Sequence, residues 1–336
     1  MCRLLVFTCA AAGADTNHES MVASGAVSAA CEPANIPKCR YSNIMPFDAH
    51  RVVLRTSPRT DFINASHMVL PTLPTTRIIA TQAPLHPDWH GPNTCGDFWR
   101  CVWENEVGVI VGLAKVQPGF SGSSLYWPTA AGSGSAKYDE FRIELKEETK
   151  LSADVVRRDL DIVDTSTPEP HASRRVRHLH YSSWPNYSVP ASTAGIRIIL
   201  REVEQARCTV VLLMLLHAHL ICCCLLQYRL REDVKDTTLL VHCSGGVGRT
   251  GVFLAAYGTL ASIAPFKLVD GVIVPTVSAS FVETGALPVA ALVTAMRKSR
   301  HPWMVEGEQQ YAFCYAVILE EIAARAAELK GKADAK

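Results

Sequence analysis

Residues 241–251, VHCSGGVGRTG, constrain the fold of this chain more than any other segment. They follow an apolar run at 238–241 that is typical of a buried strand, and three glycines come soon after Cys243. Arg249 stands where a helix is expected to begin. A strand, a glycine-rich loop and a helix in this order predict backbone N–H groups that converge on an anion at the helix N-terminus.

The residues of this segment also predict a reaction. The field that attracts an anion favours a thiolate at Cys243, and a thiolate is a strong nucleophile at neutral pH. The planar guanidinium of Arg249 can hold two phosphoryl oxygens at once. We expect Thr250 to donate a hydrogen bond to the sulfur when it leaves, and His242 to fix the loop through backbone contacts. The segment therefore predicts phosphoryl transfer to cysteine.

The loop between the strand and the helix is expected to bind the phosphate mainly through its backbone. Its glycines permit a tight curl and a close approach of the main chain to the ligand. The residues expected to contact the phosphate in this way are Ser244, Gly245, Gly246, Val247 and Gly248.

Composition limits the partners of the chain. Of its 336 residues, 48% are hydrophobic and only 19% are charged, which excludes a mainly disordered protein and allows one large domain or two small ones. Lys and Arg total 33 against 32 for Asp and Glu, so the net charge is +1. No global basic field exists to hold nucleic acid, and we expect no nucleic-acid partner.

The cysteines indicate a reducing compartment. There are 12 of them, with no Cys-x-x-Cys pair, so neither a disulfide framework nor a zinc site is indicated. We expect free thiols, no metal, no cofactor and a cytoplasmic location. His86 and His90 have a spacing of four, but a solvated loop explains them better. Residues 1–14 resemble a weak signal peptide, yet a reduced nucleophile favours an unstructured leader instead.

The remaining segments alternate between helix and strand patterns. Residues 1–35 are rich in Ala, Ser and Gly and are expected to form a disordered leader, with order beginning near Ile36. Patterns of strands fall at 51–54, 77–81, 107–113, 141–145 and 175–181, and those of amphipathic helices at 96–103 and 310–329. A polar tail, 326–336, ends the chain. The order predicts an α/β (α+β) fold with one mixed central sheet flanked by helices.

Several ordered segments together resemble the classical, phosphotyrosine-specific protein tyrosine phosphatases of the non-receptor, single-domain type. They are KCRYSNIMPFD (38–48), DFINAS (61–66), IIATQAP (78–84), GDFW (96–99), YWP (126–128), WPNYSVP (184–190), the Cys243 segment and EQQYAF (308–313). The resemblance covers residues 36–325, which would form the catalytic domain. It implies a highly twisted mixed sheet, hydrolysis through a phosphocysteine without a cofactor, and phosphotyrosine-containing proteins as partners of a monomer.

The resemblance also assigns residues around the loop. Tyr41 matches an aromatic wall whose depth suits phosphotyrosine, since phosphoserine would leave its phosphate short of Cys243. Asn43 stands where the family usually has a carboxylate that holds the substrate backbone. Gln310 matches a glutamine of the family motif, whereas Glu306 stands where the family has the glutamine that positions water. A carboxylate there would repel phosphate unless protonated, or it would act as a substitute base.

The largest departure from the family is Asn186. The family carries an aspartic acid after Trp-Pro, and this acid protonates the departing tyrosine oxygen. An amide cannot supply that proton, and general acid catalysis is typically worth about 10²–10⁴ in rate. The sequence thus predicts an impaired phosphatase. The alternative is a pseudophosphatase that binds and protects phosphotyrosine proteins.

Two segments are longer than the family requires. One coincides with 208–231, which includes the apolar run 208–226; its length suits a membrane span. A single crossing would separate Trp184 from Cys243, so we expect an extruded loop or a segment absent from the natural protein, such as translated intron. A membrane-tethered phosphatase remains the third hypothesis. The second surplus, 271–287, has the same two explanations.

Overall fold

A mixed sheet of nine strands organises the computed structural model of the chain. The structure describes residues 26–55, 60–86, 92–117, 123–129, 134–166, 168–185, 188–217, 237–263, 266–269, 272–275 and 286–334. The strands are β1 (Arg51–Val53), β2 (Phe62–His67), β3 (Ile78–Thr81), β4 (Val107–Gly112), β5 (Ser135–Tyr138), β6 (Phe141–Lys150), β7 (Val155–Asp164), β8 (Ala172–Tyr181) and β9 (Thr238–His242). Their order across the sheet is β1-β2-β3-β9-β4-β8-β7-β6-β5. The mixed sheet expected from the sequence is confirmed.

The four central strands are parallel and the outer ones are antiparallel. β3, β9, β4 and β8 pair in parallel, with Thr81 and Gly112 both opposite His242. β3 and β9 are buried along their whole length, as expected when helices cover both faces of a parallel sheet. The carboxyl ends of these strands therefore meet at one edge, where Cys243 follows β9.

Six helices flank the sheet in the part of the chain that the structure describes. They are α1 (Ser28–Cys31), α2 (Cys95–Glu104), α3 (Ala194–His217), α4 (Gly248–Ile263), α5 (Val289–Ser299) and α6 (Gly307–Asp334). α4 is apolar on nearly all sides and almost completely buried, which is typical of a helix inside a core.

The two sides of the sheet pack against different helices. Leu239 and Val241 of β9 belong to a core cluster that includes Phe253 of α4. Leu240, which points to the other face because side chains alternate along a strand, packs in a second cluster with Phe98 of α2. Helices on both faces thus hold the strand that ends just before Cys243.

The predicted disordered leader is wrong for residues 26–35. These residues form α1 and lead into a 3-10 turn at Ile36–Lys38. Val27 is fully buried and packs in a small cluster with Met45 and Phe62. The Asp48 carboxylate accepts hydrogen bonds from the backbone N–H groups of Ser28 at 2.7 Å and Ala29 at 3.1 Å, which fixes the start of the helix. Residues 1–25 lie outside the described part.

Other elements follow the sequence patterns closely. The helix predicted at 96–103 is α2, the strand at 107–113 is β4, and the helix at 310–329 lies within α6. α6 continues to Asp334, so the predicted polar tail is helical up to that residue. Apart from a few residues at its ends, each predicted strand is also present.

The two surplus segments are described only in part. α3 extends through His217 and carries the start of the apolar run, while 218–236 lie outside the described residues. β10 (Phe266–Val269) and β11 (Val272–Pro275) pair as an antiparallel hairpin at the second surplus, and 276–285 are likewise not described. Within the described residues, no helix has the length and apolar character needed to cross a bilayer.

Candidate active site

A tight loop joins β9 to α4 and curls around the sulfur of Cys243. We call residues 243–249 the Cys243 loop. Gly246 has a φ of +72°, and a Cβ there would lie 2.2 Å from the carbonyl oxygen of Thr81, so only glycine fits. The backbone N–H of Gly246 points to the sulfur, with its nitrogen 3.2 Å from Sγ. The sequence thus folds into a concave row of N–H groups as its glycines predict.

The surroundings of Cys243 favour the thiolate. The side chain is 3% exposed, and burial alone would raise its pKa. The charge of Arg249, followed by the contacts of Thr250 and the Val247 backbone, outweighs burial, so the pKa lies below the ordinary value for cysteine. The Thr250 hydroxyl is buried but makes no hydrogen bond of ordinary geometry among the described residues, so Arg249 is the stronger influence on the sulfur.

Other buried cysteines show the opposite behaviour. Burial is the main cause that raises the pKa of Cys95, Cys101 and Cys314 to about 12. These thiols lie within or beside helices α2 and α6 and are structural. The contrast with Cys243 comes from the loop and Arg249, since all four side chains are buried.

Arg249 connects the loop to an open cleft. It lies in the first turn of α4 and is 7% exposed. Its Nη1 donates to the carbonyl oxygen of Trp184 at 3.4 Å. The cleft beside it is also lined by Lys115, Ser182 and Pro185. The structure therefore brings the start of the Trp184–Pro185 segment to the arginine; Asn186, the next residue, lies outside the described part.

A buried chain of rings supports the loop from the sheet side. His242 Nδ1 lies 3.1 Å from the carbonyl oxygen of Cys243, so this nitrogen carries the proton. His242 Nε2 then accepts from the Tyr126 hydroxyl at 2.6 Å, and the Tyr126 oxygen accepts from His178 Nε2 at 3.0 Å. Burial, foremost, lowers the pKa of His242 to about 3, so the ring is neutral. Its contacts are those expected of a residue that fixes the loop.

Arg300 lies below the loop and was not anticipated from the sequence. It is fully buried, and its Nη2 and Nε donate to the carbonyl oxygens of Gly245 at 3.2 Å and Gly246 at 3.4 Å. In a trans peptide the N–H points opposite to the C=O, so the N–H groups of Gly246 and Val247 are turned toward the sulfur. A signal was present: Arg300 follows the buried Met296 by four positions and thus continues the buried face of α5.

Tyr41 forms one wall of the site. Its hydroxyl lies 2.7 Å from Ser244 Oγ, and a Cβ on Gly245 would lie 3.3 Å from its ring. Buried Arg40, beside it, donates to the carbonyl oxygens of Ala83 and Pro84, which anchors this segment. The backbone carbonyl of Asn43 accepts from His301 Nε2 at 3.0 Å. Tyr41 is therefore at the loop, and Asn43 is tied to the segment that follows α5.

Glu306 and Gln310 reach the other side of the loop. A Cβ on Gly248 would lie 2.9 Å from Gln310 Oε1 and 3.2 Å from Glu306 Oε2. Gln310 Oε1 also accepts the backbone N–H of Glu306 at 2.9 Å. Glu306 keeps an exposed surface, but desolvation of its carboxylate by the surrounding residues raises its pKa, while the charge of Arg249 opposes that increase. Both predicted residues thus lie against the helix end of the loop.

Comparison with known proteins identifies the arrangement. The sequence model of the family described as protein-tyrosine phosphatase matches residues 35–320. The chain belongs to this family. Human receptor-type tyrosine-protein phosphatase epsilon is 31% identical to this chain; the match covers 86% of this chain and 35% of that relative. Human receptor-type tyrosine-protein phosphatase eta is 30% identical, and the match covers 85% of this chain and 17% of that relative. The chain therefore spans about a third or less of these curated relatives.

Solved structures show the same fold. The catalytic domain of human protein tyrosine phosphatase non-receptor type 18 has a TM-score of 0.64 and 26% identity, with 92% of this chain and 95% of that one covered. The expected phosphatase fold, a twisted mixed sheet with flanking helices, is confirmed.

The phosphatase site brings together most of the residues predicted from the sequence. Cys243, Arg249, Thr250 and the loop amides lie together, and His242, Tyr41, Glu306 and Gln310 contact or border the loop; Asn43 contacts His301 instead, and Asn186 is not described. No group of three or more His, Cys, Asp or Glu side chains within the described residues is arranged to hold a metal ion. His90, one of the pair considered for metal binding, is not among those residues.

Proposed function

We propose that this protein tyrosine phosphatase hydrolyses phosphotyrosine in proteins through a phosphocysteine intermediate. The observation that carries the proposal is the geometry of the Cys243 loop, in which the Gly246 N–H lies 3.2 Å from Cys243 Sγ and the charge of Arg249 opposes the rise in thiol pKa that burial would cause. A buried thiolate held by N–H groups is an activated nucleophile. The same N–H groups and the guanidinium would stabilise the charge that develops on the phosphoryl oxygens.

The first step transfers the phosphoryl group to sulfur. The Cys243 thiolate attacks phosphorus as the bond to the tyrosine oxygen breaks, and Arg249 holds two of the remaining oxygens. The leaving oxygen then needs a proton because the pKa of tyrosine is about 10. Asn186 cannot donate one, so turnover on phosphotyrosine is expected to be about 10²–10⁴ lower than with an aspartic acid. Activated aryl phosphates should lose much less.

We propose that the depth of Cys243 below the wall formed by Tyr41 selects the substrate. Tyr41 stands beside Ser244 and Gly245, at the rim above a sulfur that is almost completely buried. A phosphorylated tyrosine is long enough to pass such a wall, whereas a phosphorylated serine is not. We therefore propose phosphotyrosine-containing proteins as partners. The similar solved structure of PTPN18 relates to its fingerprint on distinct HER2 tyrosine phosphorylation sites. A cytoplasmic monomer without nucleic acid remains our expectation.

A binding role is the second candidate, and Asn186 favours it. An anion site with a nucleophile and clamp but no acid would capture phosphotyrosine proteins and release them slowly. The two functions differ in the ratio between the rate of phosphate release and the rate of peptide dissociation. If phosphate release is slower than peptide dissociation, the protein acts chiefly as a protective binder.

The experiment that tests the proposal is phosphate release from a phosphotyrosine peptide and from the same peptide with phosphoserine. Peptide dissociation is measured in parallel by fluorescence anisotropy. We expect slow release from phosphotyrosine only, abolished in Cys243→Ser while peptide binding is retained. Equal release from both peptides, or release that survives Cys243→Ser, would show that the proposed reaction is wrong.

A further inference from the structure

Glu306 is held over the helix end of the Cys243 loop by its own backbone. Its N–H donates to Gln310 Oε1 at 2.9 Å. Val305, before it, has a φ of +60°, and Gly307, after it, has a φ of +76°. A β-branched residue rarely adopts such a φ, so the surrounding structure must impose it.

Packing against α4 explains how that conformation persists. Val305 is 1% exposed, and its backbone nitrogen would lie only 2.6 Å from a Cβ on Gly251. The segment is thus pressed against the second turn of the nucleophile's helix. Glu306 Oε2 reaches the same helix at Gly248, one residue from Arg249. Backbone constraint and side-chain placement together put a carboxylate against Gly248, the residue before Arg249, at the helix end of the Cys243 loop.

The second step of the proposed reaction requires a group of this kind. Water must attack the phosphocysteine on the side opposite to sulfur and must lose a proton. The cleft beside Arg249 offers a lysine, glutamine, two serines, tryptophan and proline among its described residues, none of which is a carboxylate. Asn186 carries an amide, which is a very weak base. Glu306 does not line this cleft, but its carboxylate lies against Gly248 at the helix end of the loop and interacts electrostatically with Arg249, so it is a carboxylate within reach of the proton.

We propose that Glu306 is the general base for phosphocysteine hydrolysis, a catalytic role that rests on the proposed function. Water oxygen bonds to phosphorus while its proton passes to the Glu306 carboxylate. The bond between phosphorus and the Cys243 sulfur breaks, and sulfur leaves with the electron pair as a thiolate. The products are inorganic phosphate, a protonated Glu306 and the regenerated nucleophile, so no further reactant is needed.

Electrostatics strengthen this role once the intermediate has formed. Desolvation already raises the pKa of Glu306, and Arg249 restrains that rise. The phosphoryl group on Cys243 brings negative charge next to the carboxylate and occupies Arg249. Both effects favour the protonated form of Glu306, and a carboxylate whose pKa lies closer to neutrality is a better general base. The base is thus strongest when water must be activated.

The test measures the decay of the intermediate directly. The full chain is mixed rapidly with ³²P-labelled 4-nitrophenyl phosphate, whose leaving group needs no acid, and then chased with unlabelled substrate. Samples are quenched under denaturing conditions at successive times, and the ³²P bound to Cys243 is measured in each. We compare the parent with Glu306→Gln, which keeps size and polarity, and with Glu308→Gln, a matched control on the exposed first turn of α6.

We expect decay in the parent and in Glu308→Gln to be equal, and decay in Glu306→Gln to be roughly 100-fold slower. The rate of label incorporation should not fall. Added formate should accelerate decay in Glu306→Ala, because a small carboxylate can replace the missing base; a structural role would not respond to formate. Labelled Cys243 that decays at the parent rate in Glu306→Gln would overturn this inference alone. Failure to label Cys243 in any variant would overturn the proposed function as well.

Discussion

Replacement of Arg300 by methionine offers a demanding test of how the Cys243 loop is held. Arg300 Nη2 donates to Asn64 Oδ1 at 2.7 Å and to the Gly245 carbonyl at 3.2 Å, and Nε donates to the Gly246 carbonyl at 3.4 Å. Methionine fills similar volume but donates nothing. Several buried oxygens would lose their donors, which costs about 1–3 kcal/mol for each one left unsatisfied.

The net loss of stability is smaller than the sum of these terms. Burial is the main cause that lowers the pKa of Arg300 to about 10, so the folded protein already bears a cost for desolvating this cation. Removal of the cation recovers part of that cost. The hydrogen-bond partners of Arg300 are neutral oxygens, so its removal leaves no unpaired buried charge, and we expect a net decrease of about 1–3 kcal/mol in the free energy of unfolding. Denaturant unfolding of the two proteins measures it.

The second effect of Arg300→Met is on the nucleophile. Without donors to the loop carbonyls, the Gly246 N–H is no longer held toward Cys243, and a nearby positive charge is lost. The pKa of Cys243 should rise, so its alkylation by iodoacetamide should require higher pH. A weakening of about 1.4 kcal/mol corresponds to roughly tenfold slower alkylation at neutral pH.

The assay needs a background control and a variant that keeps the charge. Cys243→Ser defines alkylation at other cysteines. Arg300→Lys retains the cation but not the planar fork. We therefore expect the pH dependence of Cys243 alkylation to stay close to that of the parent, while the free energy of unfolding still decreases. If Arg300→Met unfolds within about 1 kcal/mol of the parent and is alkylated with the same pH dependence, Arg300 does not hold the Cys243 loop.

Three further predictions concern other parts of the site. Tyr126→Phe removes the hydroxyl between His178 and His242, and should lower the free energy of unfolding by about 1–3 kcal/mol in denaturant titrations; no change would contradict the proton assignment. Gly246→Ala must clash with β3 and should abolish phosphate binding in calorimetry, whereas retained affinity would contradict the loop geometry. Ionised Glu306 repels phosphate, so the KM for the phosphorylated substrate should rise as the pH rises through the raised pKa of Glu306. This rise in KM should be absent in Glu306→Gln; a rise that persists in the variant would belong to another group.

The Cys243 loop could be predicted from the sequence because its determinants are local. An apolar strand, three glycines and an arginine lie within about a dozen positions, and each has a conformational meaning that does not depend on the rest of the fold. The mixed sheet followed from similar local patterns, and β4 and α2 lie close to their expected bounds.

Contacts between distant segments could not be predicted in this way. Tyr126 meets His242 across 116 positions, and Arg300 meets Asn64 across 236. These pairs form only because the sheet and α5 bring the segments together. The buried Val27 shows the same limitation, since an Ala- and Ser-rich segment has no period of its own and becomes ordered by packing against Phe62.

A series of leaving groups tests whether the phosphatase keeps its nucleophile and phosphate clamp while lacking its acid. The parent, Asn186→Asp and Cys243→Ser are assayed on aryl phosphates whose leaving phenols range from activated to tyrosine-like. We expect the parent rate to fall steeply as the leaving group worsens, Asn186→Asp to raise the rate and flatten this dependence, and Cys243→Ser to be inactive. A flat and fast profile in the parent would show that another residue supplies the proton and that the acid is not missing.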